Sequence, residues 1–170
     1  IPPCDDIDAM LGALVALGAD VKRASPDATT VEITGPINFT EDVSIDARMS
    51  GASTRLLLGI AALRAGRTDI DGHPSLQVRT NAPLYTALRL LGVAVSAPDH
   101  GGLPASIQGP IELGNGHIPV DGSLSSQYIT ALLIAGVSAD RVCQIEVEGD
   151  LVSRPYVDIT LNEMAKRGVK

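Results

Sequence analysis

Two dipeptides recur in this chain at one spacing, and that recurrence limits the folds open to it. Leu17-Gly18 returns as Leu91-Gly92, and Gly35-Pro36 returns as Gly109-Pro110, each 74 residues on. Ile45-Asp46 returns as Val120-Asp121 after 75 residues, and Gly51 falls opposite Ser126. Asp71-Gly72 matches Glu148-Gly149, and Gly92 matches Gly168, at 77 and 76. A register held over this distance marks a repeated supersecondary unit. Each unit reads strand, helix, strand, helix, strand, strand. Helical crossovers and a hairpin in the same unit demand sheets that mix parallel and antiparallel pairs. The expected class is therefore α/β with mixed sheets, holding about two units and the start of a third.

Helix signals place the first helix from Asp5 or Asp6, as the cap, to about Leu17, where Gly18 ends it. Strands are expected at Val21–Ala24 and Thr29–Thr34 around a Ser25-Pro26-Asp27 turn, and at Val43–Asp46. An apolar helix opens at Ser50-Gly51-Ala52-Ser53 and ends near Gly66. A strand at Thr68–Asp71, a turn at Gly72-His73-Pro74 and a helix over about Asn81–Leu91 follow. Strands at Val93–Ser96 and Ala105–Gln108 close that unit. His117–Val120, a helix to Val137, Gln144–Glu148 and a helix over about Pro155–Lys166 make the next. A third unit should continue with two strands past Lys170. Ile1 is not a Met and stands just before helix signals, so residues 1–170 are expected to be one incomplete domain of a longer protein. A repeated unit cannot bury its faces alone, so a covering partner is expected.

Composition narrows function. Apolar residues make up 45% of the chain but are almost all aliphatic, with no Trp, one Phe and three Tyr. Base-stacking modules need aromatic platforms, and a net charge of −7 opposes a phosphate backbone, so nucleic acid is not an expected partner. Cys4 and Cys143 make no disulfide framework, and His73, His100 and His117 show no metal spacing. No metal and no cofactor are expected. No apolar run reaches the ~18 residues of a membrane span, and no signal peptide is present, which points to a cytoplasmic protein.

The segment Asp121-Gly122-Ser123-Leu124-Ser125-Ser126-Gln127-Tyr128 leads into an apolar helix. Ser125 or Ser126 is placed to cap it, and the free N–H groups of the first turn make an anion site. Three hydroxyls and a carboxamide there suit a phosphorylated polyol. The repeat sets Gly51 and Ser125/Ser126 at the amino ends of equivalent helices. It sets Arg79 and Ser153-Arg154 just before two other equivalent helices. Helix amino ends facing one cleft would attract anions without a basic excess.

Three motifs carry a resemblance: residues 121–128, Gly-Asp-Leu-Val-Ser-Arg-Pro-Tyr-Val-Asp-Ile-Thr at 149–160, and Ser-Gly-Ala-Ser-Thr-Arg at 50–55. Together they resemble the 5-enolpyruvylshikimate-3-phosphate synthases, nearly end to end. The resemblance implies a two-domain enzyme of repeated βαβαββ units, with the second domain lying outside this chain. It implies transfer of the enolpyruvyl group of phosphoenolpyruvate to the 5-hydroxyl of shikimate 3-phosphate, with release of phosphate. By the same resemblance, Ser125, Ser126, Gln127, Ser153 and Tyr156 would bind shikimate 3-phosphate. Gly51, Arg79 and Gln127 would bind phosphoenolpyruvate, and Arg55 would support the Gly51 turn. The family usually carries Asn and Thr where this chain has Met49 and Ala52, and Pro where it has Thr80. The family's Lys-Ser motif would lie upstream of Ile1, so no catalytic residue is assigned and the isolated chain is expected to turn nothing over. Its partner would be the remaining portion of the enzyme. Two other readings stand beside this one. The first is a UDP-N-acetylglucosamine enolpyruvyl transferase, which Cys4 and Cys143 do not suit because neither sits in a reactive-cysteine loop. The second is a non-catalytic binding module with the same fold.

Overall fold

The computed structural model describes residues 4–25, 29–112, 117–137 and 143–169. The first three residues, Pro26 and Asp27 of the expected turn, and Lys170 lie outside the described residues. The elements run α1 (Asp5–Ala16), β1 (Asp20–Arg23), β2 (Val31–Thr34), β3 (Val43–Asp46), α2 (Gly51–Ala61) and β4 (Thr68–Asp71). They continue as α3 (Pro74–Gln77), α4 (Ala82–Leu90), β5 (Ala94–Ser96), β6 (Ala105–Gln108), β7 (His117–Asp121), α5 (Ser126–Gly136), β8 (Gln144–Glu148) and α6 (Arg154–Lys166).

The strands form a hairpin β1-β2, a four-stranded sheet in the order β3-β4-β6-β5, and a parallel pair β7-β8. In the middle sheet β3 and β4 are parallel, joined by α2 as crossover, while β6 runs antiparallel to both β4 and β5. The stretch β3-α2-β4-α4-β5-β6 is one whole unit, with α3 as an added turn of helix. Before it stand the last three elements of a unit, and after it the first four of another. The expected phase of two units followed by the start of a third therefore shifts: three units are represented among the described residues, and the middle one is whole.

The repeat has physical markers. Gly18, Gly92 and Gly168 follow α1, α4 and α6 with φ of 95°, 82° and 78°. A left-handed residue just past a helix end lets its N–H reach back to the last-turn carbonyls, and glycine takes that conformation without a Cβ clash. Asp46 and Asp121 end equivalent strands, and their carboxylates accept from the N–H groups of Arg48 and Ser123, each at 2.8 Å. Both aspartates thus close turns, as their sequence positions suggest.

Strand side chains alternate as a half-buried sheet requires: Thr68 and Ile70 point inward while Asp69 and Asp71 point outward. The inward residues meet α2 and α5, which lie against each other at the centre of the core. A Cβ on Gly59 of α2 would stand 2.4 Å from the carbonyl oxygen of Ala131 in α5. The two helix backbones therefore touch at that point, and only glycine permits it.

Two caps differ from expectation. Neither Asp5 nor Asp6 is the cap of α1; Cys4 holds that position with no side-chain hydrogen bond. Asp5 instead pairs with Arg48 at 2.8 Å, and the first-turn carboxylates Asp5, Asp6 and Asp8 lie at the positive end of the helix dipole. The Gly72-His73-Pro74 turn continues into α3, because His73 Nδ1 accepts from Ser75 N–H and Pro74 is preset for a first helical position.

Arg64 is 0% exposed and has no carboxylate partner among the described residues. Its guanidinium donates to the carbonyls of Asn38 (2.7 Å) and Glu41 (2.5 Å) and to the Thr68 hydroxyl. The Phe39 carbonyl accepts from Ala65 and Gly66 N–H in the same place. A buried cation is tolerated where each donor meets an acceptor, and here those acceptors tie the β2–β3 connector to the end of α2.

Two predictions follow from the core. Alanine is favoured over glycine by about 1 kcal/mol in a helix interior. At Gly59 the collision with Ala131 outweighs that gain, since overpacking costs about 1–3 kcal/mol. Gly59→Ala is expected to lower the urea midpoint; a raised midpoint would show that α2 and α5 stand further apart. Tyr85 is 2% exposed and its hydroxyl donates to the Gly102 carbonyl at 3.0 Å. Burial pushes its pKa up from 10.0 to about 12. Its neutral form is favoured by folding, so that contribution is whole below pH ~10 and is lost as pH rises through about 12. Tyr85→Phe is expected to flatten the fall of stability in that window, measured by denaturation across pH 9–12.

Candidate functional site

The amino ends of α2 and α5 open into one cleft of about 520 Å³, with α6 as its far wall. It is lined by Ala52, Arg55 and Leu56 from α2 and by Arg79 from the segment before α4. Leu124, Ser125, Ser126, Gln127 and Thr130 come from the start of α5. Val152, Ser153, Tyr156, Ile159 and Thr160 come from the start of α6. Every site residue expected from the sequence lies on this lining except Gly51, which lies directly behind Arg79. A Cβ on Gly51 would sit 2.7 Å from Arg79 Nη1, so the missing side chain is what admits the guanidinium.

Ser125 is the cap of α5: its hydroxyl accepts from Gln127 N–H at 3.2 Å. Ser50 caps α2 in the same way through Ser53 N–H, so equivalent helices begin alike in successive units. Ser126 is buried in the first turn beside it. Ser153 stands before α6 in the left-handed region (φ 54°, ψ 38°), and its side chain makes no capping bond. That conformation is costly for a residue with a side chain, and no capping bond offsets it. The Ser153 hydroxyl is exposed at the cleft wall, and Tyr156, 65% exposed, follows it on the same side.

Arg55 does more than support the Gly51 turn. Its Nη1 donates to Gln127 Oε1 at 2.6 Å and to the Ser125 hydroxyl at 3.2 Å, and its Nε reaches Asn81 Oδ1 at 3.4 Å. Its guanidinium carbon lies 5.0 Å from the centre of the Tyr128 ring. Burial lowers the pKa of Arg55, and the nearby charge of Arg79 acts in the same direction, opposed by Tyr128. Arg55 stays charged at neutral pH all the same, because arginine starts above 12. Arg79 is exposed, and its guanidinium has no ion-pair or hydrogen-bond acceptor among the described residues. A planar fork of free donors beside two helix amino ends is suited to a carboxylate or a phosphate.

No Asp, Glu, Lys or His appears among the described lining residues. Arginines and helix amino ends give the cleft a chemistry suited to anions. Helical spacing was the signal for lining residues not expected from the sequence. Thr130 lies three residues past Gln127, and Ile159 and Thr160 lie three and four past Tyr156. Thr130 and Thr160 face each other, hydroxyl to hydroxyl, at 3.1 Å. Among the described residues there is no group of three potential metal ligands, and no helix is long and apolar enough to cross a membrane.

Fold and cleft together define a mixed α/β domain with a cleft at helix amino ends. Residues 1–170 match the profile of the family described as EPSP synthase (3-phosphoshikimate 1-carboxyvinyltransferase), and the chain belongs to that family. It is 43% identical over 169 residues to a 3-phosphoshikimate 1-carboxyvinyltransferase of Methanocella arvoryzae, covering 97% of this chain and 39% of that protein. A protein of the same name from Vibrio atlanticus is 38% identical over 168 residues, with the same coverage. The chain thus spans about two fifths of the length of these relatives. The solved structure of EPSP synthase from Acinetobacter baumannii superposes with a TM-score of 0.70 at 22% identity, over 87% of this chain and 34% of that one, a likeness of fold.

The backbone of Ser153 gives a separable prediction. Glycine accepts φ of 54° freely, so Ser153→Gly is expected to hold or raise the melting temperature, by up to about 1 kcal/mol of stability. A clear loss of stability would show that the hydroxyl caps α6.

Proposed function

We propose that this chain supplies one wall of the active cleft of an enzyme that moves the enolpyruvyl group of phosphoenolpyruvate to the 5-hydroxyl of shikimate 3-phosphate, releasing phosphate. It does so together with the further portion that its relatives carry, and in the cytoplasm. The observation that carries this reading is the convergence of Arg55, Arg79, Ser125, Ser126, Gln127, Ser153 and Tyr156 on one cleft, with Gly51 behind Arg79. Four separate stretches of sequence meet there, and nothing about a bare fold requires it.

Ser125, Ser126 and Gln127 hold the polyol of shikimate 3-phosphate. The Ser153 hydroxyl donates to its phosphate, and Tyr156 covers the ring. Arg79 clamps the carboxylate or phosphate of phosphoenolpyruvate, which approaches closely over Gly51, and Gln127 touches both molecules. In the reaction the 5-hydroxyl gives up its proton to a base as its oxygen bonds to C2 of phosphoenolpyruvate, and a proton from an acid adds to C3 as the C2–C3 double bond opens. A proton then leaves C3, the C2–O bond to phosphate breaks and the double bond returns. The groups that move those protons are assigned to the opposite wall, since no Asp, Glu, Lys or His is among the described residues of this one. What residues of this wall contribute is proximity: two polyanions brought into register against two helix amino ends.

The test is a chimaera in which residues 1–170 replace the matching segment of a full-length relative. Turnover of phosphoenolpyruvate with shikimate 3-phosphate is expected, and an inactive but folded chimaera would refute the reading. The 170-residue chain alone is expected to show no turnover. In the active chimaera, Arg79→Lys keeps the charge but loses the fork, so KM for phosphoenolpyruvate should rise about 10- to 100-fold. Shikimate 3-phosphate binding should stay nearly unchanged. Equal weakening of both substrates would make Arg79 a structural residue.

A further inference from the structure

Arg79 is exposed and no described residue anchors its guanidinium, yet the backbone that carries it is held from below. Tyr128, 1% exposed on the first turns of α5, donates its hydroxyl to the Thr80 carbonyl at 2.9 Å. Asn81, 3% exposed, takes part from the other side: its Oδ1 accepts from Arg55, its Nδ2 lies 3.5 Å from the Arg79 carbonyl, and its N–H donates to the Gly101 carbonyl at 2.7 Å. Arg55 in turn rests on the Tyr128 ring and donates to Ser125 and Gln127. The segment 79–81 is therefore fastened to the same helix turn that presents the serines and the glutamine.

We infer that Tyr128 is a positioning residue for Arg79, acting through the Thr80 carbonyl, and that it sets the affinity of the cleft for the smaller anion. The inference rests on the proposed function for the identity of that anion, phosphoenolpyruvate. The geometry gives the reason. The Tyr128 ring is walled in by the core, so its hydroxyl is a fixed point. A loop residue that carries a binding guanidinium must otherwise find its place by chance among several backbone states, and each lowers the fraction of chains ready to bind. The serine half of the cleft is built on α5 itself and needs no such brace. Losing the hydroxyl should therefore affect one substrate and spare the other.

Tyr128→Phe keeps the ring, its packing and its place beneath the Arg55 guanidinium, and removes the hydroxyl with its bond to the Thr80 carbonyl and its polar interaction with Arg55. Tyr85→Phe is the comparison: an equally buried ring that loses a bond to the Gly102 carbonyl and a weaker interaction with Asn81, so a brace that belongs to Tyr128 must exceed its effect. In the chimaera, Tyr128→Phe is expected to raise KM for phosphoenolpyruvate about 3- to 10-fold, with kcat and the dissociation constant of shikimate 3-phosphate within twofold of the parent. Tyr85→Phe should change KM for phosphoenolpyruvate by less than about twofold, even if both variants melt a few degrees lower. An unchanged KM in Tyr128→Phe, a parallel loss for both substrates, or the same rise in Tyr85→Phe would overturn the inference. If the parent chimaera does not turn over, the proposed function falls, and the brace is judged in the 170-residue chain by amide exchange at Asn81. There, Tyr128→Phe should speed exchange about 3- to 10-fold and Tyr85→Phe should have less effect on it; equal rates in parent and Tyr128→Phe would reject the brace.

Discussion

The backbone contact between Gly59 and Ala131 is the constraint on which the cleft depends. Arg55 lies one turn before Gly59 on α2, and Gln127 lies one turn before Ala131 on α5. Residues four apart share a face, so the layer next to the contact pairs Arg55 with Gln127, where a hydrogen bond of 2.6 Å is found. The two helices advance in the same sense, and both amino ends arrive at the same wall. Any bulk at Gly59 would separate them and lift Arg55 away from Ser125 and Gln127. Packing deep in the core thus sets the spacing of groups at the surface.

That arrangement answers how a chain with a net charge of −7 can receive anions. Two helix dipoles and two arginines act over a few ångströms, and no acidic side chain is among the described residues lining the cleft. Asp5 and Asp8 are occupied with Arg48 and Arg23 on the α1 side of the molecule. Local geometry outweighs the global balance.

Much of the fold was legible in the sequence because aliphatic periodicity and Gly-Pro punctuation repeat at one spacing. Strands β3, β4, β6 and β8 fall where alternation and turn residues place them, and the helices agree within a few residues. The convergence of 50–55, 79, 125–127 and 153–156 was legible only through the repeat, which sets helix amino ends at equivalent places. Other features depend on tertiary partners that no local pattern records. Asp5 is drawn from capping to Arg48, and His73 caps a helix that begins with proline. Arg55 reaches across to α5 because Gly59 lets that helix come close. The brace from Tyr128 to Thr80 joins residues 48 apart in sequence through a single hydroxyl.

The buried Arg64 bears on how such a chain could be cut and rejoined. Residues 62–66 are a short turn between α2 and β4, the kind of place where insertions and new termini are usually tolerated. In the folded molecule they are the crossing point of two connectors. Residues 38–41 are gripped by Arg64 and by the Ala65 and Gly66 amides, and a Cβ on Gly109 would lie 2.3 Å from the Ala62 carbonyl oxygen. The seams between units therefore converge on one locked point, and a molecule of modular descent has lost its modularity there. Circular permutants opened at 62–66 would release both seams at once, whereas the exposed Asp99-His100 tip of the β5–β6 hairpin offers a break that loosens neither.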